Sequence, residues 1–186
     1  MKRCALVVWV IACWAMATNV VYADYTWFTY NGHSYTLTNP GSWTQAQSEA
    51  VSLGGNLVTI NDAAENAWLV STLASNGMFI GLYQSPSAAE PAAGWGWISG
   101  EASSYRNWDT AFGEPDEAAG GSEDYAMINV TGFTLGKWHD AYDAGWPVQY
   151  SYRGIVEVVP EPASIIALLG GLISLLGIRR GGRRRA

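Results

Sequence analysis

Cysteine is nearly absent. The chain has two, Cys4 and Cys13, both close to the start, so nothing downstream of residue 13 can hold a disulfide or a thiolate metal site. Basic residues are almost as scarce where they would matter. Seven of the ten lie at the two ends: Lys2, Arg3, Arg179, Arg180, Arg183, Arg184 and Arg185. Between residues 24 and 160 only Arg106, Lys137 and Arg153 stand against fifteen acids, which leaves that stretch at −12. A body of this charge lacks the basic footprint that nucleic acid requires, and it favours divalent cations instead. The two histidines, His33 and His139, form no Ser/His/Asp or Cys/His set, and neither a P-loop nor an HExxH motif occurs. Paired acids such as Glu114 and Asp116 are a pattern also used in glycoside hydrolysis, yet they are better explained as ligands, and no enzyme activity is expected.

Long apolar runs are confined to the ends. Lys2 and Arg3 precede an apolar run over residues 4–17, and Val21-Tyr22-Ala23 offers a small-residue cleavage site, with Ala15-Met16-Ala17 as an alternative. Residues 1–23 therefore read as a secretory signal; a lipoprotein signal with a lipidated Cys13 is the rival reading. At the other end, Pro160-Glu161-Pro162 leads into sixteen mostly apolar residues, 163–178, and then five arginines. This order is similar to the PEP-CTERM sorting signal of Gram-negative bacteria, which implies export, transient insertion of the helix in the inner membrane, and an exosortase as processing partner. An ordinary tail anchor is the alternative for residues 159–186.

What lies between suits one domain, residues 24–158. Asn31-Gly32 is a strong hairpin signal between two short strands. Ser42 and Gln45 form a capping-box pattern ahead of a helix with Trp43, Ala46, Ala50 and Leu53 on one face, stopped by Gly54-Gly55. Asp62 and Glu65 cap a second helix, whose Ala67, Val70 or Leu69, and Leu73 are expected to point inward. Residues 78–83 read as a buried strand. Short aromatic strands near 95–98, 125–130 and 152–158 follow, separated by Gly-, Ala- and Ser-rich loops. Two early helices and then short antiparallel strands predict an α+β fold. Eight tryptophans in this body are expected mainly in the core, and His33 at the surface of its hairpin.

The loop over residues 101–122 is too long for a connector. It and the segment after it carry three acidic pieces: Glu114-Pro115-Asp116, Glu123-Asp124 and Trp138-His139-Asp140. An X-Pro bond is readily cis, and a cis Glu114-Pro115 bond would project both acids to one side. These carboxylates are either solvated or gathered on a cation. Several loop oxygens suit Ca²⁺, which takes six to eight of them in flexible geometry.

In order along the chain, Leu53-Gly54-Gly55-Asn56-Leu57-Val58-Thr59-Ile60, Phe79-Ile80-Gly81-Leu82, Gly94-Trp95-Gly96-Trp97, Tyr105-Arg106-Asn107-Trp108 and the acidic loops resemble the C-type lectin-like domain over roughly residues 26–158. The resemblance implies that fold, here without its disulfides: Ala50 and Val156 stand where one pair is usual, Tyr125 and roughly Asp143 where the other is. It implies a calcium site from Glu114, Asp116, Glu123, His139 and Asp140, with Glu114, Asp116, Glu123 and Asp140 also meeting the sugar. Glu117 and Asp124 match acids used for an auxiliary ion, a weaker assignment because Glu90 is the single acid in residues 84–90. Two departures stand out. Asp116 replaces the amide that usually accompanies the acid, and His139 replaces an asparagine with an imidazole, a poor ligand for a hard cation. The expected partner is a glycan or exopolysaccharide. The alternative is a metal-independent adhesion or extracellular-matrix protein that uses the fold for protein contacts.

Intact-mass analysis of secreted material is expected to show loss of about the first 23 residues and of the C-terminal helix. Recovery of exported chain that still carries Arg185 would refute the sorting signal.

Overall fold

Asn31 and Gly32 both adopt positive φ, 48° and 86°, as a two-residue hairpin turn with the twist of its flanking strands demands. They join β1 (Phe28–Tyr30) to β2 (His33–Leu37) in the computed structural model, which describes residues 25–160 apart from 75, 87, 88, 90, 118–121, 149 and 150. The leader, and the C-terminal tail beyond Pro160, lie outside the described residues.

Helix α1 (Trp43–Ser52) starts at the capping box: Ser42 accepts from the Gln45 N–H, and the Gln45 side chain accepts from the Ser42 N–H. Its buried residues are Trp43, Ala46 and Ala50, while Leu53 ends it only half-buried. After β3 (Asn56–Leu57), Asp62 caps α2 (Ala63–Thr72) by accepting from the Glu65 N–H. The inward face of α2 departs from the expected one. Leu69 and Leu73 are buried, but Ala67 is exposed, and Glu65 and Asn66 lie inside in its place. The reason is polar partnership. Glu65 accepts from the Tyr35 hydroxyl at 2.8 Å, and Asn66 accepts from the Trp138 indole N–H at 2.7 Å while donating to the Gly136 carbonyl at 3.0 Å. Buried polar groups need such bonds, and hydrophobic periodicity does not register them.

The remaining strands are β4 (Met78–Gln84), β5 (Trp95–Trp97), β6 (Tyr125–Ile128), β7 (Trp138–Ala141) and β8 (Arg153–Val158). They form a sheet of order β1-β2-β8-β4-β6-β7, with β3 added to β8 and β5 to β4. Pairing is antiparallel except between β4 and β8. Alternate residues of β4 and β6 serve two cores, as the two-residue period of a strand dictates. Met78, Ile80, Leu82, Ala126 and Ile128 join Leu69, Trp138 and Ile155; Phe79 and Met127 join Trp43, Ala46, Leu57 and Tyr152. Trp138 is fully buried, with Trp97, Tyr105 and Trp108 edge-on around it at 5.5–6.0 Å.

Where disulfides are absent, other contacts take over. Ala50 and Val156 are completely buried. Tyr125 lies against Trp43 at 4.6 Å, and the Asp143 carboxylate accepts from both the N–H and the hydroxyl of Thr44, tying the last loop to the start of α1. His33 is not a plain surface residue: its Nδ1 lies 2.6 Å from the buried carboxylate of Glu157. The three cations of the body are bound to neutral oxygens. Arg106 donates to the carbonyls of Ser103, Tyr105 and Trp95, Lys137 to the Asn107 side chain, and Arg153 to the Thr38 carbonyl.

Gly81 admits no side chain. A Cβ there would sit 2.4 Å from the Leu57 carbonyl oxygen and 2.9 Å from that of Val58, both backbone atoms. Gly81→Ala is expected to cost about 1–3 kcal/mol in urea unfolding. Gly96→Ala, where nothing lies within 4 Å, should change stability far less. Equal losses would show that strand contact at Gly81 is not the constraint.

Candidate functional site

Backbone hydrogen bonds lay two distant stretches side by side. The Trp138 N–H donates to Asn107 O at 3.0 Å, and Trp138 O accepts from the Asp109 N–H at 2.9 Å, so residues 107–109 run parallel to the start of β7. The loop then folds back, because the N–H groups of Phe112 and Glu114 both donate to Asp109 O, at 2.9 and 3.3 Å. The Glu114–Pro115 bond is cis. Glu114 meets His139 and Asp140 on the neighbouring strand.

The Glu114 and Asp140 carboxylates are held by identifiable donors. Glu114 Oε1 lies 2.6 Å from His139 Nδ1, and its Oε2 accepts from the Asp140 N–H at 3.3 Å. The Asp140 carboxylate accepts from the N–H groups of Asp116 and Glu117 at 3.1–3.3 Å. One oxygen each from Glu114, Asp116 and Asp140 lies within 4.8 Å of the others. Glu123 is buried and lines the same cleft. His139 stands beside this group rather than within it. Its Nδ1 faces Glu114, and its Nε2 lies 3.3 Å from Asp109 Oδ2 without the alignment of a hydrogen bond. Glu117 and Asp124 are not drawn into the cluster. The Glu117 side chain accepts from the Glu123 N–H at 3.0 Å, and Asp124 contributes its backbone carbonyl to Gln84.

Asp109 is the residue that sequence reasoning missed. It is buried, and its two oxygens accept from the N–H and the hydroxyl of Thr134 at 2.9 and 3.0 Å. An acid directly after Trp108 carries no periodic signal; the one available hint was that a lone histidine among acids needs charged neighbours. Burial by itself would raise the Asp109 carboxyl, but the Thr134 bonds and the nearby His139 outweigh it and hold it below the usual range. Glu114 behaves likewise: burial opposes, the His139 hydrogen bond prevails, and the carboxyl is lowered. Asp140 goes the other way. Burial and the adjacent Glu114 push it up to about 8.

The cleft has a volume of about 140 Å³. The rest of its lining is apolar: Phe112, Met127, Val130, Phe133 and Trp146. Phe133 is the hub of this side, with its ring 4.2 Å from His139, 4.8 Å from Phe112 and 5.5 Å from Trp146.

Comparison with known proteins gives a consistent family of matches. The Lectin C-type domain family matches residues 39–144. Ladderlectin of Oncorhynchus mykiss is 30% identical over 118 residues, 62% of this chain and 56% of that protein. C-type lectin domain family 10 member A of Homo sapiens is 27% identical over 121 residues, but these are 34% of its length. The chain thus spans about half or less of these two relatives. Among solved structures, the cow C-type carbohydrate-recognition domain of CD23, determined in the presence of a GlcNAc2Man3 oligosaccharide, superposes with a TM-score of 0.58 at 24% identity, covering 73% of this chain and 94% of that one. A calcium-independent type II antifreeze protein superposes at 0.57 with 17% identity, covering 74% and 98%. These likenesses establish the C-type lectin-like fold.

The raised Asp140 carboxyl sets a pH dependence. A carboxyl raised from about 4 in the unfolded chain to about 8 in the folded one gives stability that is full below pH 4 and lost as pH rises toward 8. Glu157, raised chiefly by burial, acts in the same direction. In EDTA, the Tm is expected to fall from about pH 5 to about pH 8, and Asp140→Asn should flatten most of that fall. A Tm that climbs over this range in the unsubstituted protein would contradict the assignment.

Proposed function

As the chain belongs to the C-type lectin domain family, we propose that it binds carbohydrate through a calcium ion held by the Glu114-Pro115-Asp116 and His139-Asp140 loops. The observation that carries this reading is the convergence of Glu114, Asp116 and Asp140 oxygens within 4.8 Å. These are hard oxygen donors, two from the loop and one from strand β7, and oxygen is the donor calcium takes. Glu123 lines the same cleft and adds a fourth carboxylate.

Glu114, Asp116 and Asp140 would hold the ion, which would supply a Lewis acid able to take up two adjacent sugar hydroxyls. The protein's own part is to orient and to exclude water. Glu114 is ionised and accepts, so His139 donates its Nδ1 hydrogen to Oε1 and leaves the rest of the carboxylate facing Asp116 and Asp140. In this reading His139 is a positioning residue in the metal's outer shell, and Asp109, anchored on Thr134, holds the ring from behind. The absent amide at Asp116 leaves recognition of the sugar to carboxylate acceptors. Export by the leader and by the PEP-CTERM tail, with the matrix or envelope of a Gram-negative bacterium as destination and an exosortase as processing partner, is the companion proposal. It rests on sequence motifs alone.

Calcium is expected to raise the Tm of the domain and to bind measurably by calorimetry, with glycan binding lost in EDTA. Asp116→Asn should weaken calcium directly. Asp109→Asn, which touches no calcium, should still cost about tenfold or more in calcium affinity, as outer-shell substitutions do. A Tm indifferent to calcium would turn the assignment toward the metal-independent adhesion or matrix protein.

A further inference from the structure

The cleft has a second half for which the calcium reading gives no use. Beside the acids and His139 the cleft is lined by Phe112, Met127, Val130, Phe133 and Trp146, drawn from three separate segments of the chain. Two of these rings stand at the mouth with much of their surface in water: Phe112 is 51% exposed and Trp146 37%. Large aromatic surface left in water beside a polar site is a mark of ligand contact.

Size and polarity narrow what fits. At about 140 Å³ the whole cleft is comparable to a cavity that takes one benzene-sized group. A complete sugar ring cannot enter it in addition to a cation and its coordinating hydroxyls. What enters is a substituent of that sugar. A hydroxyl carried among Phe133, Met127 and Val130 would give up its water for side chains without a hydrogen-bonding group, whereas a methyl loses nothing there. The rings also argue against a cage for an organic ammonium ion. Phe112 and Phe133 pack edge-to-face at 4.8 Å and 78°, and His139 lies tilted 4.2 Å from Phe133, so the rings are not set as open faces around one centre.

Resting on the calcium-lectin reading, we infer that the site selects neutral sugars bearing a small apolar substituent, a deoxy methyl or a methyl ether, close to the diol that meets the acids. The acid wall takes the diol and the Phe112–Phe133–Trp146 wall takes the methyl. Specificity then resides in residues outside the metal loops.

The test uses matched pairs that differ at one carbon: the methyl glycosides of mannose and 6-deoxymannose, and of galactose and 6-deoxygalactose, each titrated into the protein in calcium. The deoxy member of the pair that binds is expected to be tighter by about fivefold or more, because its partner must strip water from a hydroxyl that finds no hydrogen-bonding group in the cleft. The ratio within a pair cancels general damage, so it is also read in variants. Phe112→Ala should bring it toward one, and Phe112→Leu should largely keep it. Equal or weaker binding of both deoxy sugars, a ratio untouched by Phe112→Ala, or tetramethylammonium displacing the sugar would each overturn the inference. Calcium titration of the same samples separates the two claims: calcium bound without deoxy preference removes this inference alone, and no calcium bound removes the reading beneath it.

Discussion

Two carboxylates pressed together in a half-buried cleft cannot both stay charged unless a proton or a cation lies between them. That constraint shapes the acidic loops here. Glu114 keeps its charge because His139 donates to it, and the cost falls on Asp140, whose carboxyl is pushed up to about 8. The backbone N–H groups of Asp116 and Glu117 are turned toward Asp140 and partly relieve it. Asp140 stays raised even so, which leaves burial and the adjacent Glu114 as the stronger influences on it.

The same acids are tied to the core by a short route. Trp138 fills one hydrophobic cluster, and its backbone holds residues 107 and 109 alongside β7. Its indole N–H is satisfied by Asn66 of α2, which in turn donates to Gly136. Next to it, Asp109 fixes Thr134, receives the loop N–H groups of Phe112 and Glu114, and lies behind His139. The ligand loop is therefore clamped at its base, close to the residues that would meet a ligand. Rigidity at that point is what a preformed site requires.

Features of local chemistry were legible in the sequence. Asn31-Gly32 names its own turn, and Ser42 with Gln45 names its own cap, because each depends on residues within a few positions. The acidic pieces were legible through a family pattern, and Glu114, Asp116 and Asp140 do converge. Features built from distant partners were not legible. Ala67 looked inward by period, but Glu65 and Asn66 took the inner places by bonding to Tyr35 and Trp138. His33 looked superficial until Glu157, 124 residues away, supplied its partner. His139 looked like a fifth ligand, yet both ring nitrogens face carboxylates that only the folded loop brings near. Asp109 and the aromatic wall left no trace for the same reason, since their meaning arises from three segments meeting.

Arg106, Lys137 and Arg153 are each committed to carbonyl or amide oxygens, so none of them cancels a carboxylate it touches. The acidic field of the body consequently reaches into solvent at nearly full strength, limited by the screening length of about 8–10 Å in ordinary salt. A field of that sign opposes the approach of any polyanion, a second copy of the domain included. Neutral chains approach without hindrance. Ionic strength sets how far that repulsion is felt, independently of the shape of the cleft.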